Sequence, residues 1–223
     1  MTARRKLIAE TAIVLVAVFA IAIAYSAMHP VVASTGSVPL VIFYELALYV
    51  VLVGCAAVAN KLNNRSLFDG LGFRARPVGK QLLIGLLLFA VTISFILAAL
   101  VLAEDRANVL SFKARTPLVL LYYLIHSFLF VGVGEELLWR GYFFNRAREL
   151  TGSGVWAVVL SSALFGLWHY PAGQDILKVI VTAGLGAFYA TARLKIRDCS
   201  TLATGVAHGL HDSVILVLSY FLL

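Results

Sequence analysis

Ten residues, Gly132-Val133-Gly134-Glu135-Glu136-Leu137-Leu138-Trp139-Arg140-Gly141, set two adjacent carboxylates and an arginine among apolar runs. The stretch just upstream, Leu118–Val131, holds no Asp, Glu, Lys or Arg. An ionisable residue near a bilayer core costs several kcal/mol, so it is rarely kept without a task. On a helix, Glu136 and Arg140 are i and i+4, the favoured order for an ion pair. Glu135 is rotated from Glu136 by about 100° and stays outside that pair. One carboxylate is tied down and the other is available to act as a base. A helix-to-helix salt bridge, or the membrane-exit end of a helix, would use the same residues.

Two further groups carry chemistry. In Phe165-Gly166-Leu167-Trp168-His169, Phe165 and His169 lie one turn apart on one face. In His208-Gly209-Leu210-His211-Asp212, His208 and Asp212 are i and i+4, with His211 beside them. Each group alone could be a satisfied core hydrogen bond. All three in apolar helices require a shared polar interior, because lipid cannot solvate them. Glycines permit close helix approach near two of them: Gly132 and Gly134 before the glutamates, Gly205 and Gly209 around His208. Gly184 and Gly186 support packing only.

The elements that must position these residues follow from composition. The 223-residue chain is 61% hydrophobic and 13% charged, about half the charge of a soluble domain. It is an all-α, polytopic transmembrane helical bundle. The net charge of +7 does not point to nucleic acid, because the basic residues sit in short clusters between apolar runs. Cys55 and Cys199 lie in or beside apolar runs, which argues against a disulfide framework or a thiolate metal site.

Arg4, Arg5 and Lys6 precede an apolar run from Leu7 to about Ala27. It is too long for a signal-peptide core and reads as an uncleaved first span. A polar turn covers His29-Pro30 through Pro39, and a second span runs from Leu40 to Ala59. The loop from Asn60 to Lys80 carries Lys61, Arg65, Arg74, Arg76 and Lys80. A third span covers Gln81 to Ala103. Pro117 opens a fourth helix that continues through the glutamates to about Leu150. Val155–Tyr170, Ile176–Ala192 and Thr201–Leu223 complete about seven spans of bilayer length. With a cytoplasmic N-terminus, fourteen of the 18 Lys and Arg fall inside, and only Arg106, Lys113, Arg115 and Lys178 outside. One membrane domain, 1–223, is expected: 1–116 without motifs and 117–223 as the motif-bearing core.

Glu135-Glu136-x-x-x-Arg140, then Phe165-x-x-x-His169, then His208-x-x-x-Asp212, in that order, resemble the three motifs of the CAAX-prenyl-protease and bacteriocin-processing family. Its members are intramembrane glutamate endopeptidases and many bacterial immunity-type proteins. The longer phrase through Gly141-Tyr142 is also similar to the family's first motif. The resemblance covers about half the chain, from Pro117 onward. It implies that Glu135 with His169 activates a water, that His208 with Asp212 stabilises the oxyanion, and that Glu136 and Arg140, with Phe165, support the site. The prenyl-protein proteases typically carry Asn where this chain has Asp212. Asp212 could instead accept from His208 and fix its tautomer. The resemblance further implies a peptide or protein substrate in the membrane, no cofactor, and an integral protein of a prokaryotic plasma membrane.

With simple spans, His208 lies near mid-membrane, Glu135 toward one end and His169 toward the other. They meet only if the fifth helix is shifted or extends past Tyr170, or if the fourth is long and tilted. Three other readings use the same residues. A metal-dependent hydrolase would draw on Glu135, His169, His208 and His211, although no His-Glu-x-x-His is present. A non-enzymatic immunity or scaffold protein would use the polar groups only for assembly. An ion-coupled carrier would also bury carboxylates and histidines, but the chain shows no inverted repeat. His126 reads as a packing residue and His29 as a loop residue.

Overall fold

A computed structural model describes residues 2–75, 77–110 and 114–223. Arg76 and Lys113, counted in the charge partition, lie outside the described residues. Seven helices are long and apolar enough to cross a membrane: α1 Ala3–Ser34, α2 Val38–Leu62, α3 Val78–Leu102, α4 Pro117–Thr151, α5 Gly154–Gly173, α6 Ile176–Lys195 and α7 Thr201–Leu222. No strand occurs among the described residues. The bundle is apolar outside, with Phe95 at 70% and Val101 at 83% exposure. The groups buried inside include Glu45, Glu135, Glu136, Arg140, Arg146 and His208. That inversion suits a chain solvated by lipid, where polar groups must find partners internally. The chain is an integral membrane protein of helical-bundle class.

Helix α7 packs against α3 and α4, α5 against α6, and α1 against α2. One aromatic and aliphatic core joins α1, α2, α4 and α5 around Trp139, Tyr142 and Phe165. A second joins α3, α6 and α7 around Tyr189. Both cysteines are free thiols.

Three expectations about the helices need correction. His29-Pro30 is not a turn, because α1 continues through Pro30 to Ser34. Proline removes one amide near the helix end, and the remaining ladder carries on. His29 is therefore helical, and its Nε2 lies 3.8 Å from a Glu45 oxygen. Asn60 is the second difference. It falls inside α2, is fully buried, and accepts from Arg146. Finally, Arg140 and Arg146, counted among the charges on the inner side, are groups of the bundle interior at 1% and 0% exposure. Arg146 is held by Glu10 at 3.1 Å and by Glu149 at 3.0 Å.

The remaining basic segments do share one end of the bundle. Arg65 pairs with Glu149 at 2.7 Å, and Lys80 with Asp198 at 2.7 Å. These pairs tie the α2–α3 link, the start of α3, the end of α4 and the α6–α7 link together.

Candidate active site

The site is built on α4. Its 35 residues would span about 50 Å at helical rise, well beyond a hydrocarbon core of about 30 Å. Two wide π-helical turns, His126–Gly132 and Leu137–Phe143, flank an α-helical turn at Val133–Glu136. Such turns are rare and concentrate at functional sites, because an inserted residue re-aims the side chains that follow. Here they bracket the two glutamates. Consecutive positions on the intervening turn face different neighbours, so Glu135 meets α2 and Glu136 meets α7.

Glu136 is fully buried. One of its oxygens takes Arg140 at 3.0 Å and the His208 Nδ1 hydrogen at 3.1 Å. The Arg140 guanidinium lies 4.1 Å from the centre of the Phe165 ring and 5.8 Å from that of Tyr189. Cation–π contact and a buried carboxylate together hold an arginine that water cannot reach. This knot joins α4, α5, α6 and α7. Gly186 makes room for it: a Cβ there would lie 2.9 Å from Phe165 and 3.0 Å from Arg140. Gly184, expected to pack likewise, faces open space. The crossing of α4 over α7 is similarly close, since a Cβ on Gly132 would stand 2.5 Å from the Gly209 backbone.

Glu135 is 4% exposed and lies outside that knot. Its Oε1 accepts from the Tyr49 hydroxyl at 3.3 Å. Its Oε2 is buried with no hydrogen-bond partner among the described residues. Helix α5 breaks after Trp168 and resumes for one turn at Tyr170–Gly173, where Pro171 cannot continue the amide ladder. The span thus extends past Tyr170, and the break sets His169 against the interior. Nδ1 of His169 donates to the Phe165 carbonyl at 2.9 Å. A carbonyl only accepts, so the neutral ring presents Nε2 as its acceptor. Phe165 stands edge-to-face with both imidazoles, at 4.9 Å from His169 and 5.9 Å from His208.

Glu135 and His169 open into one cavity of about 200 Å³. Its other walls come from α1 and α2, through Ala22, Tyr25, Leu48 and Tyr49. His208 is not a wall of that cavity and sits behind Phe165. Asp212, on the same face of α7, lies 3.6 Å from His208 Nε2, beyond hydrogen-bond distance. The partner that fixes the His208 tautomer is therefore Glu136 at Nδ1 and not Asp212.

Tyr49, the only described donor to Glu135 that a hydrogen bond identifies, was invisible to motif reading. The signal for it is Glu45, a carboxylate within the second apolar run and one turn before Tyr49. Glu45 is buried and accepts from Tyr122 at 2.7 Å and Tyr123 at 3.2 Å. His126 packs among Tyr49, Tyr122 and Tyr123, as a packing residue should. No group of three or more His, Cys, Asp or Glu side chains is placed to hold a metal ion among the described residues.

Residues 117–214 match the family model described as type II CAAX prenyl endopeptidase, Rce1-like. The matched segment holds all three motifs, so this part of the chain is similar to the CAAX-protease family. Neither a curated protein nor a solved structure matches the chain. Helices α1 to α3 lie outside the matched segment, yet α1 and α2 wall the cavity at Glu135 and His169.

Proposed function

We propose that this chain is an intramembrane endopeptidase that hydrolyses a peptide bond in a membrane-associated or lipidated peptide. The observation that carries the reading is the shared cavity of Glu135 and His169. Each has an acceptor atom that no described hydrogen bond uses: Oε2 of the glutamate and Nε2 of the imidazole. A water held between two acceptors donates both hydrogens and aims a lone pair at a carbonyl carbon. Glu135 takes one proton as the water oxygen bonds to that carbon. The carbonyl oxygen becomes an oxyanion, for which His208 would be the donor as an imidazolium, with Nδ1–H held by Glu136 and Nε2–H turned to a carbonyl that reaches past Phe165. Collapse breaks the C–N bond, and Glu135 returns its proton to the departing amine. Glu136, Arg140 and Phe165 position His208 and touch no reacting atom. Asp212 sits at the edge of the His208 ring and holds its outer side.

This mechanism is written without a metal. Membranes carrying the protein should contain peptide termini missing from membranes without it. Those termini should persist at full yield under strong chelation. Their disappearance on chelation, with restoration by added zinc, would replace water activation by Glu135 with metal catalysis. Finding no new termini at all would support a scaffold or immunity role instead.

A further inference from the structure

A second cavity, of about 510 Å³, lies at the end of the bundle where α4 and α6 finish and α3 and α7 begin. Five cations line it: Arg74, Arg148, Arg193, Lys195 and Arg197. Only two carboxylates face them. One, Asp198, is already taken by Lys80 at 2.7 Å, and that ammonium holds its carboxyl below the usual carboxylate range. Asp69 is the other. The cavity therefore carries a concentrated, uncompensated positive charge. Here three separate parts of the chain, the α2–α3 link, the end of α4, and the end of α6 with the link after it, bring theirs to one concavity.

Arg193 anchors the floor. Its Nη2 donates to Asn145 at 2.9 Å, and its guanidinium lies 4.8 Å from the centre of the Phe144 ring. Its Nη1 is buried with no hydrogen-bond partner among the described residues. A fixed guanidinium with a spare donor fits the tetrahedral oxygens of a phosphate. The rim is apolar at Phe73 and Leu194, and α4 and α6 end beside it. That places the charge where headgroups meet hydrocarbon.

We propose that this cavity binds the phosphate of an anionic phospholipid headgroup, at a site separate from the Glu135–His169 cavity. Basic pockets between helix ends hold such headgroups elsewhere. The side chains of Arg74, Arg148 and Arg197 are exposed, so all three can be changed to Gln without opening the core. The full chain in detergent micelles would be titrated with phosphatidylglycerol or phosphatidylcholine, and one-to-one lipid complexes counted by native mass spectrometry. A control variant loses three cations elsewhere, at Arg4, Arg5 and Lys61. The expected result is selective retention of phosphatidylglycerol, weakened about a hundredfold in the cavity variant and less than about threefold in the control. Equal weakening in both variants, or none in either, overturns the proposal. Displacement of the lipid by millimolar inorganic phosphate, with no preference between the two lipids, assigns the cavity to free phosphate and overturns the lipid reading.

Discussion

Glu135→Gln is expected to lower the yield of protein-dependent peptide termini by at least about 100-fold, the usual contribution of a general base. The substitution keeps the shape of the side chain and its carbonyl-type acceptor, so the Tyr49 hydroxyl at 3.3 Å still has a partner. Glu135 also lies outside the Glu136–Arg140 ion pair, so its loss of charge leaves no other ion stranded. The protein should therefore reach the membrane in normal amount and unfold normally. Undiminished termini from a folded Glu135→Gln protein would remove Glu135 from the chemistry.

The second large effect is on stability and falls at Arg140. In Arg140→Met the side-chain volume stays, but Glu136 remains at 0% exposure without its cation. Breaking one side of a buried pair costs about 3–5 kcal/mol, because the remaining charge is neither solvated nor matched. Unfolding in mixed detergent should show that loss directly. Adding Glu136→Gln to Arg140→Met should restore most of the stability. It should not restore cleavage, since His208 has then lost the carboxylate that accepts from its Nδ1 at 3.1 Å. A single Arg140→Met protein as stable as wild type would mean that the pair contributes nothing, and that Phe165 and Tyr189 alone fill the space.

Both effects turn on one division of labour, and half of it was legible from spacing. The i and i+4 relation of Glu136 and Arg140 is local, so their pairing follows from helix geometry. The apolar runs were also legible, because lipid imposes a length and a composition on every span. What spacing cannot show is a partner on another helix. Asp212 looked like the orienting group for His208 because it is one turn away on α7. The closer carboxylate is Glu136, on α4, and no local pattern couples the two. The two wide turns of α4 are equally silent, since one inserted residue hardly changes an already uniform apolar run. Pro171 did mark the end of a span, yet the helix breaks at His169 and resumes for one more turn. With that added turn His169 lies within the span and shares a cavity with Glu135, while His208 stays outside it. Tyr49 and the wall from α1 and α2 come from a part of the chain without motifs. Glu45, a carboxylate inside an apolar run one turn before Tyr49, is the residue from which Tyr49 could have been found.

The cavity shared by Glu135 and His169 is the centre of the account, and non-additivity tests it most directly. Protein-dependent peptide termini would be quantified for wild type, Glu135→Gln, His169→Asn and the double variant, each at equal folded amount in the membrane. If one water is held by both groups, either single change removes the termini almost completely and the double change removes no more. Independent losses that multiply in the double variant, or full yield with His169→Asn, would contradict it.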